Sequence, residues 1–312
     1  MQQVENIIYP VLLHSLTVDG LDAIEEGIDC ITIIAYYAYK QTPISHNMWK
    51  LFPQLLYVCA GSEENKEGGF GLEYVNQIVP ALKNFISRDP NGMMAVGENQ
   101  DMTHLDLTML FIRRILEINR NGSDMCDGVS VINLLIALLE NMEGKLNEKL
   151  PELIGMLAGE LAFLNTQGSN GKNFKVMLLQ AISMCFSYNA TLTFQILEQQ
   201  NLTLNVFQAW FVSMNDFKKD FEIRRVIFGL TSIIKTSPLP ELVNQKLPDI
   251  MNQLTLLCAK MSSERLEVLK DNEKFIAKDG KESDSEEEDD EAIDADGDDD
   301  FAEDSEEEWK KQ

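Results

Sequence analysis

The chain has 312 residues, enough to bury a large core, and 45% of them are hydrophobic, as in ordinary folded proteins. Its formal net charge is −25; the 19 acidic residues and three lysines of residues 279–312 account for −16, which leaves −9 for residues 1–278. This acidity argues against direct nucleic-acid binding, which needs a basic surface, and favours a basic protein partner.

The cysteines and the N-terminal segment are typical of an intracellular protein. No two cysteines form a CxxC pair, and their odd number within apolar stretches predicts reduced thiols in the core. The opening MQQVENIIYP lacks the basic region of a signal peptide, and the longest uncharged apolar run, residues 30–39, is too short to span a bilayer. We therefore expect a soluble, intracellular chain without a membrane segment. The predicted core thiols are Cys30, Cys59, Cys126, Cys185 and Cys258.

Helical periodicity dominates the chain. Apolar residues recur every three or four positions between Ile24 and Ala38, and again between Val226 and Ile234, which is the spacing of one helix face. Short polar breaks containing Gly, Pro, Asn or Asp separate such segments, and no strand-like alternation stands out. The sequence predicts roughly twelve helices and no sheet. Further helices of this kind are predicted at residues 131–143, 150–164, 174–187 and 250–269.

Two patterns favour stacked helix pairs over a single bundle. Residues 7–38 and 206–235 each show an apolar helix, a polar turn and a second apolar helix. In addition, a short motif of an apolar residue, proline, any residue and Leu or Ile recurs. Its first two copies lie 43 residues apart, within the roughly 40–47 residues of a HEAT repeat, although the other gaps are irregular and coincidence is the alternative. We predict an all-α HEAT-repeat solenoid over residues 1–278. The motif prolines are Pro10, Pro53, Pro80, Pro151 and Pro248.

Three blocks of sequence resemble one known family. HNMWKLFPQLLYVCAG at 46–61 and GGFGLEYVNQIVPALKNFISRDP at 68–90 are similar to the C-terminal half of the importin-β (karyopherin-β) superfamily. The subgroup they resemble contains importin seven and importin eight. Residues 187–235 resemble late repeats of that subgroup, with a Tyr-Asn turn, an aromatic helix and a charged turn before RRVIFGL. An acidic stretch soon after the last repeats is also expected of it.

The resemblance implies a superhelix of HEAT repeats that carries cargo through nuclear pores. Nucleoporins and the GTPase Ran are its implied partners, and shuttling between cytoplasm and nucleus its implied location. The family's main Ran-binding repeats would require a long segment before Met1, and relatives continue beyond EEEWKKQ. We therefore interpret the chain as the C-terminal portion of a receptor or as a truncated gene product, and do not expect Ran-driven transport by this chain alone.

The sequence predicts neither an enzyme nor a cofactor or metal site. None of His14, His46 and His104 lies within metal-ligand spacing of another histidine or a cysteine, so packed or surface positions are expected. No GxSxG, P-loop or GxGxxG motif occurs. The glycines of EGGFG at 67–71 follow no strand and precede no Lys-Ser/Thr, and a turn is predicted there.

Large aromatic residues at helical spacing are expected to lie in the core. They could instead line pockets for the Phe-Gly repeats of nucleoporins, which in this family lie between neighbouring outer helices. Because aromatic side chains are usually buried, we favour the core. The residues concerned are Trp49, Phe52, Phe207, Trp210 and Phe211.

The acidic segment does not match an EF-hand. A loop starting at Asp294 places Asp296 and Asp298 correctly, but the required Gly at position 6 and Glu at position 12 are Asp299 and Ser305. A specific calcium site is therefore not predicted.

Residues 279–308 hold 19 acids and one lysine, with only Ile293 and Phe301 as large apolar residues. They cannot offset an ordering cost of roughly 1–2 kcal/mol per residue, so residues 279–312 are predicted to form a disordered acidic tail. The tail could act for solubility alone, as a tether for cationic cargo, or by competing for a basic patch inside the solenoid. The resemblance favours the tether, because importins of this subgroup carry basic cargo such as histones and ribosomal proteins. The predicted tether residues are Glu286, Glu287, Glu288, Asp289, Asp290, Glu291, Asp298, Asp299 and Asp300.

Three serines in this segment are predicted phosphorylation sites. Ser283, Ser285 and Ser305 are each followed by acids, the pattern that acidophilic kinases prefer. Phosphorylation would add about −1.5 to −2 charges at each serine.

Together these observations predict a binding protein: the cargo-holding part of an importin-β-type nuclear import receptor, with release regulated by Ran-GTP. A HEAT scaffold, such as a phosphatase regulatory subunit, is the first alternative. An acidic chaperone that shields basic proteins without transporting them is the second.

Overall fold

The computed structural model describes residues 2–38, 42–61, 69–97, 101–121, 126–167 and 171–282. The chain divides into two units, Met1–Ser262 and Ser263–Gln312, and the packing described below is that of the first. The predicted domain boundary at residue 278 stays a prediction.

The described residues form α-helices joined by short turns, and no β-strand is found among them. One isolated bridge joins Val96 and Thr103. Short 3₁₀ helices lie at Val18–Ala23, Leu72–Tyr74, Gly92–Met94 and Met214–Asp216. The α-helices are α1 (Gln2–Ser15), α2 (Ile24–Tyr37), α3 (His46–Ala60), α4 (Val75–Arg88), α5 (His104–Asn121), α6 (Cys126–Asn141), α7 (Leu150–Gln167), α8 (Lys172–Gln199), α9 (Thr203–Val212), α10 (Asp220–Lys235), α11 (Glu241–Gln245) and α12 (Leu247–Glu282).

The helices stack as antiparallel pairs in chain order. The first helices α1, α3 and α5 pack side by side, and so do the second helices α2, α4, α6, α8 and α10. Packing is more extensive between second helices than between first helices. The predicted all-α HEAT solenoid is confirmed, and each predicted helix–turn–helix frame contains two α-helices, α1 and α2 in the first and α9 and α10 in the second.

The apolar stripe of each helix explains this packing. In α4 the buried residues include Val75, Ile78, Leu82 and Phe85, which recur every three or four positions and face the core between the layers. The neighbouring α3 begins at a cap in which the hydroxyl of Ser45 accepts a hydrogen bond from the backbone N–H of Met48 (3.3 Å). It ends at Gly61, whose φ of 67° suits a residue without a side chain.

α8 contains a break at the Tyr-Asn pair noted in the sequence. Asn189 has non-helical dihedral angles (φ −158°, ψ 88°), and its side-chain carbonyl accepts a hydrogen bond from the N–H of Leu192 (3.0 Å). Tyr188 holds the break in place, because its hydroxyl accepts a hydrogen bond from the N–H of Leu146 (2.8 Å). The segment before Asn189 is therefore the second helix of the fourth pair, and the segment after it leads with α9 into the fifth pair.

In the part of the chain that the structure describes, no single helix is both long and apolar enough to cross a membrane. The segments Gln3–Ser15 and Val18–Tyr37 meet the length and composition criteria only when taken together, and they are bent by 114° relative to each other.

Candidate binding cleft

All of the predicted tether residues and predicted phosphorylation sites lie outside the described residues. Glu286, Glu287, Glu288, Asp289, Asp290, Glu291, Asp298, Asp299 and Asp300, together with Ser283, Ser285 and Ser305, fall within 283–312. The tether and the phosphorylation sites therefore stay predictions. The site built below comes from the folded helices.

An open, mainly apolar cleft of about 500 Å³ lies between α9 on one side and α11 with the start of α12 on the other. These are neighbouring elements of successive helix pairs, so the cleft is a gap between repeats. The apolar lining residues are Leu204, Phe207, Phe211, Val212, Leu242 and Val243.

The α9 wall of the cleft is held by an aromatic cluster. The Phe207 ring stacks near Phe194 and packs beside Phe186 and Trp210, with ring centroids 6.3, 6.0 and 5.9 Å away respectively. Phe207 and Trp210 are 6% and 1% exposed, so this side of α9 is fixed in the core. Phe207 therefore gives the cleft a fixed floor, and the more exposed side chains of α9 lie on its outward edge.

That outward edge leaves apolar side chains in solvent. Leu204 is 49% exposed and Val212 is 79% exposed, although both line an apolar cleft. Exposed apolar groups clustered in a concave site are a feature of ligand-binding surfaces, whereas scattered ones are not informative. The cleft can hold one or two large apolar side chains of an extended peptide.

Polar residues form the α12 rim of the cleft. The Lys246 ammonium lies 3.2 Å from the Asp249 carboxylate, and the amides of Asn252 and Gln253 line the same edge. Such groups can hydrogen-bond the backbone of a peptide whose side chains enter the apolar floor.

The predicted core position of the five large aromatics is confirmed for Phe52, Phe207 and Trp210, which are buried. Trp49 and Phe211 are half-buried and pack against the core. Phe207 and Phe211 both line the cleft. Sequence reasoning missed the cleft because its second wall comes from α11, a five-residue helix in a part of the chain for which no helix was predicted.

The three histidines occupy surface or packed positions, as predicted. His14 and His46 are exposed, whereas His104 is buried with its ring stacked on Trp49, centroids 4.3 Å apart. Nδ1 of His104 lies 2.9 Å from the carbonyl oxygen of Gly92. Burial lowers the pKa of His104, against the opposing effects of this hydrogen bond and of Asp89, and favours a neutral ring that donates from Nδ1.

The predicted core position of the cysteines is confirmed for Cys59 and Cys185 and wrong for Cys258, which lies on an exposed part of α12. Cys30 is half-buried, and the side chain of Cys126 lies outside the described set. Burial raises the pKa of Cys185 to about 12 and that of Cys59 further, so both stay protonated thiols at neutral pH. Among the described residues, no group of three or more His, Cys, Asp or Glu is placed to hold a metal ion.

Two curated proteins are similar to most of this chain. The "Probable importin-7 homolog" of Dictyostelium discoideum is 24% identical over 242 residues, which is 77% of this chain and 21% of that protein. The "Importin beta-like SAD2 homolog" of Arabidopsis thaliana is 24% identical over 277 residues, which is 86% of this chain and 25% of that protein. The chain thus spans about a fifth to a quarter of the length of these relatives. No protein-family model and no solved structure matches it.

Proposed function

The chain belongs to the importin-β superfamily, and from this premise we propose that it is the cargo-holding segment of a nuclear import receptor. Its cargo in this proposal is a basic protein, such as a histone or a ribosomal protein. In this proposal the receptor carries its cargo through the pore by binding nucleoporins, and Ran-GTP regulates release of the cargo. The receptor shuttles between cytoplasm and nucleus.

The observation that carries the proposal is the charge of residues 279–312. These residues bring −16 immediately after a solenoid made to bind other proteins. Many carboxylates close together along one segment attract Lys- and Arg-rich sequences, and they raise both the encounter rate and the local concentration of the ligand. A receptor for basic cargo needs that combination.

The cleft beside α9 supports the receptor proposal independently. A Phe-Gly repeat presents isolated phenylalanine rings on an extended, flexible chain. The apolar floor formed by Phe207, Phe211 and Leu204 suits such a ring, and the amide-bearing α12 rim suits the backbone on either side. We therefore assign nucleoporin binding to this cleft as part of the proposal.

Two alternatives make different predictions. A HEAT scaffold would co-purify with a stable catalytic partner and would need neither the acidic segment nor the cleft. An acidic chaperone would bind basic proteins through the same carboxylates, but it would have no use for Phe-Gly repeats.

A bridging assay separates the three functions. Phe-Gly repeats are fixed to beads, the full chain is added, and a fluorescent lysine-rich histone-tail peptide follows. The receptor proposal predicts that the peptide stays on the beads only when the chain is present. An acidic chaperone would bind the peptide in solution and leave the beads empty.

A scaffold would neither bind the histone-tail peptide in solution nor retain it on the Phe-Gly beads. A second readout tests regulation: nuclear accumulation of the basic peptide should depend on Ran-GTP in a receptor that contains this segment. Accumulation that is unchanged without Ran-GTP would contradict the transport proposal.

A further inference from the structure

Four consecutive second helices bring polar side chains to one place in the second-helix layer. Arg225 of α10 donates from Nε to the carboxylate of Glu140 on α6 (3.1 Å) and from Nη1 to the side-chain carbonyl of Gln180 on α8 (3.1 Å). Lys83 of α4 lies near enough that the charges of Arg225 and Glu140 both act on its ammonium. We call these four residues the Lys83 cluster.

The charges in the Lys83 cluster do not balance. Two cations, Lys83 and Arg225, share one carboxylate, and Glu140 is already engaged by Arg225. Lys83 is half-buried, and within the described parts of the chain no hydrogen bond or ion pair holds its ammonium. Burial lowers the pKa of Lys83, and the nearby Arg225 lowers it further, against the opposing pull of Glu140. Such a cation costs stability unless an acceptor reaches it.

The hydrogen-bond donors in the cluster are in surplus as well. Gln180 is fully buried, and its carbonyl oxygen is fixed toward Arg225 by the bond that it accepts. Its amide nitrogen then has no partner among the described residues. Buried donors are nearly always satisfied in folded proteins, so the unused donor of Gln180 adds to the excess of donors over acceptors around Lys83.

We propose that the Lys83 cluster is a docking site for an Asp or Glu side chain of a protein partner. The carboxylate would accept from the Lys83 ammonium and neutralise the single excess positive charge of the cluster. One negative charge fits better than a phosphate dianion, because Glu140 stands beside the site and would repel the second charge.

The Lys83 cluster has an excess positive charge, whereas the chain as a whole is negatively charged. The protein carries −25 overall, so a partner that uses both surfaces presents a basic segment together with an acidic residue. This inference does not rest on the proposed import function, since the cluster would bind an acidic side chain in a scaffold or a chaperone as well.

The test uses the full chain and a fluorescent tetra-glutamate peptide, with binding followed by anisotropy. At about 0.1 M salt the Debye length is about 10 Å, so distant acidic residues are largely screened while the local site is not. We expect measurable binding to the wild type and affinity that is about fivefold weaker for Lys83→Gln. Lys83→Arg, which keeps the charge, should bind like the wild type.

Lys235→Gln is the matched control, because this exposed lysine lies at the far end of α10 from Arg225. It should leave the affinity unchanged. Absence of binding to the wild type, or equal weakening by Lys83→Gln and Lys235→Gln, would overturn the proposal. Tighter, Lys83-dependent binding of a phosphoserine peptide would overturn the choice of a carboxylate.

Two parallel measurements keep the interpretation clear. The unfolding temperature of Lys83→Gln should be equal to or above that of the wild type, because the variant removes an unneutralised cation. Binding of the histone-tail peptide to the same preparations tests the proposed function separately. Loss of tetra-glutamate binding with retained histone-tail binding would therefore assign the defect to the Lys83 cluster.

Discussion

Arg120 and Glu160 form an ion pair between α5 and α7, with Arg120 Nη2 2.8 Å from Glu160 Oε1, although the Glu160 side chain is only 3% exposed. Two further pairs join the same region, Asp106 with Lys149 and Arg113 with Glu152. The α5 residues of the three pairs are seven positions apart, so they form one stripe. Charged side chains thus connect these two first helices, whereas earlier first helices pack directly.

Replacing Glu160 by Gln should not destabilise the protein at pH 7. Burial raises the pKa of Glu160 above its ordinary value, and this effect exceeds the opposing one of Arg120. Ionising Glu160 is therefore less favourable in the folded state than in the unfolded chain. Gln resembles the neutral form and leaves Arg120 half exposed, so we expect a free energy of unfolding equal to or slightly above that of the wild type.

The pH dependence gives the sign of this effect. The folded protein holds the Glu160 proton more tightly than the unfolded chain does. The contribution of Glu160 to stability is therefore fully present below the ordinary pKa of 4.5 and is lost as the pH rises through the raised pKa. Urea unfolding at pH 7, 6 and 5 should show that the free energy of unfolding of the wild type rises relative to that of Glu160→Gln as the pH falls. Glu152→Gln controls for the loss of a pair as such, and an identical trend in that variant would contradict this account.

Gly229→Ala should destabilise the solenoid by roughly 1–3 kcal/mol. A Cβ at this position of α10 would lie 2.7 Å from the backbone oxygen of Ser183 in α8, which cannot move without shifting the helix. Gly155→Ala on α7 is the matched control, because nothing lies within 4 Å of its added Cβ. The control should raise stability by about 0.5–1 kcal/mol through helix propensity. Thermal unfolding that ranks the two variants in the reverse order would refute the close approach of α8 and α10.

His104→Phe should change the response of the protein to mild acid. Phe keeps the stacking on Trp49 but loses the hydrogen bond to Gly92, which we expect to cost about 1 kcal/mol at pH 7. Because the pKa of His104 is lowered by burial, its contribution to stability is present above the ordinary value of 6.5 and is lost as the pH falls through the lowered pKa.

The wild type should therefore lose stability relative to His104→Phe as the pH is lowered from 7 toward 5. Denaturant titrations across this range measure the difference between the two proteins. A difference that stays constant with pH would show that His104 does not titrate between the folded and unfolded states in this way.

Charged substitutions in the cleft should weaken Phe-Gly binding without unfolding the protein. Val212→Glu and Leu204→Glu place a carboxylate on exposed positions of the apolar wall, so their stability should change by less than about 0.5 kcal/mol. Desolvating that carboxylate against a phenylalanine ring should weaken binding at least about tenfold. Val11→Glu on α1, a position 67% exposed and remote in the stack, serves as the control. An equal loss of Phe-Gly affinity in Val11→Glu would contradict the assignment of Phe-Gly binding to the cleft.

The fold could be predicted from the sequence because the spacing of apolar residues within each helix shows which face of that helix is buried. The three- and four-residue spacing of apolar residues in α2, α4 and α10 gave their helical character, and the short polar breaks gave pairs that stack in chain order. The Tyr-Asn turn could be anticipated as well, since Asn189 caps the segment that follows it.

The sites on the folded surface could not be predicted in the same way. The cleft depends on the distance between α9 and the short α11, and no local pattern specifies that distance. The Lys83 cluster joins residues 83, 140, 180 and 225, which only the stacking of four helices brings together. Periodicity shows which face of a helix is buried, but it does not show what a polar side chain meets across the layer.

The salt dependence of binding to a basic ligand tests the central claim most directly. The affinity for a lysine-rich histone-tail peptide is measured between about 0.1 and 1 M salt, where the Debye length falls from about 10 to about 3 Å. The wild type is compared with a deletion of residues 279–308 and with a full-length variant in which the nine tether carboxylates are replaced by amides. The account predicts weaker binding and a flatter salt dependence for both variants. Affinities and salt slopes equal to those of the wild type would contradict it.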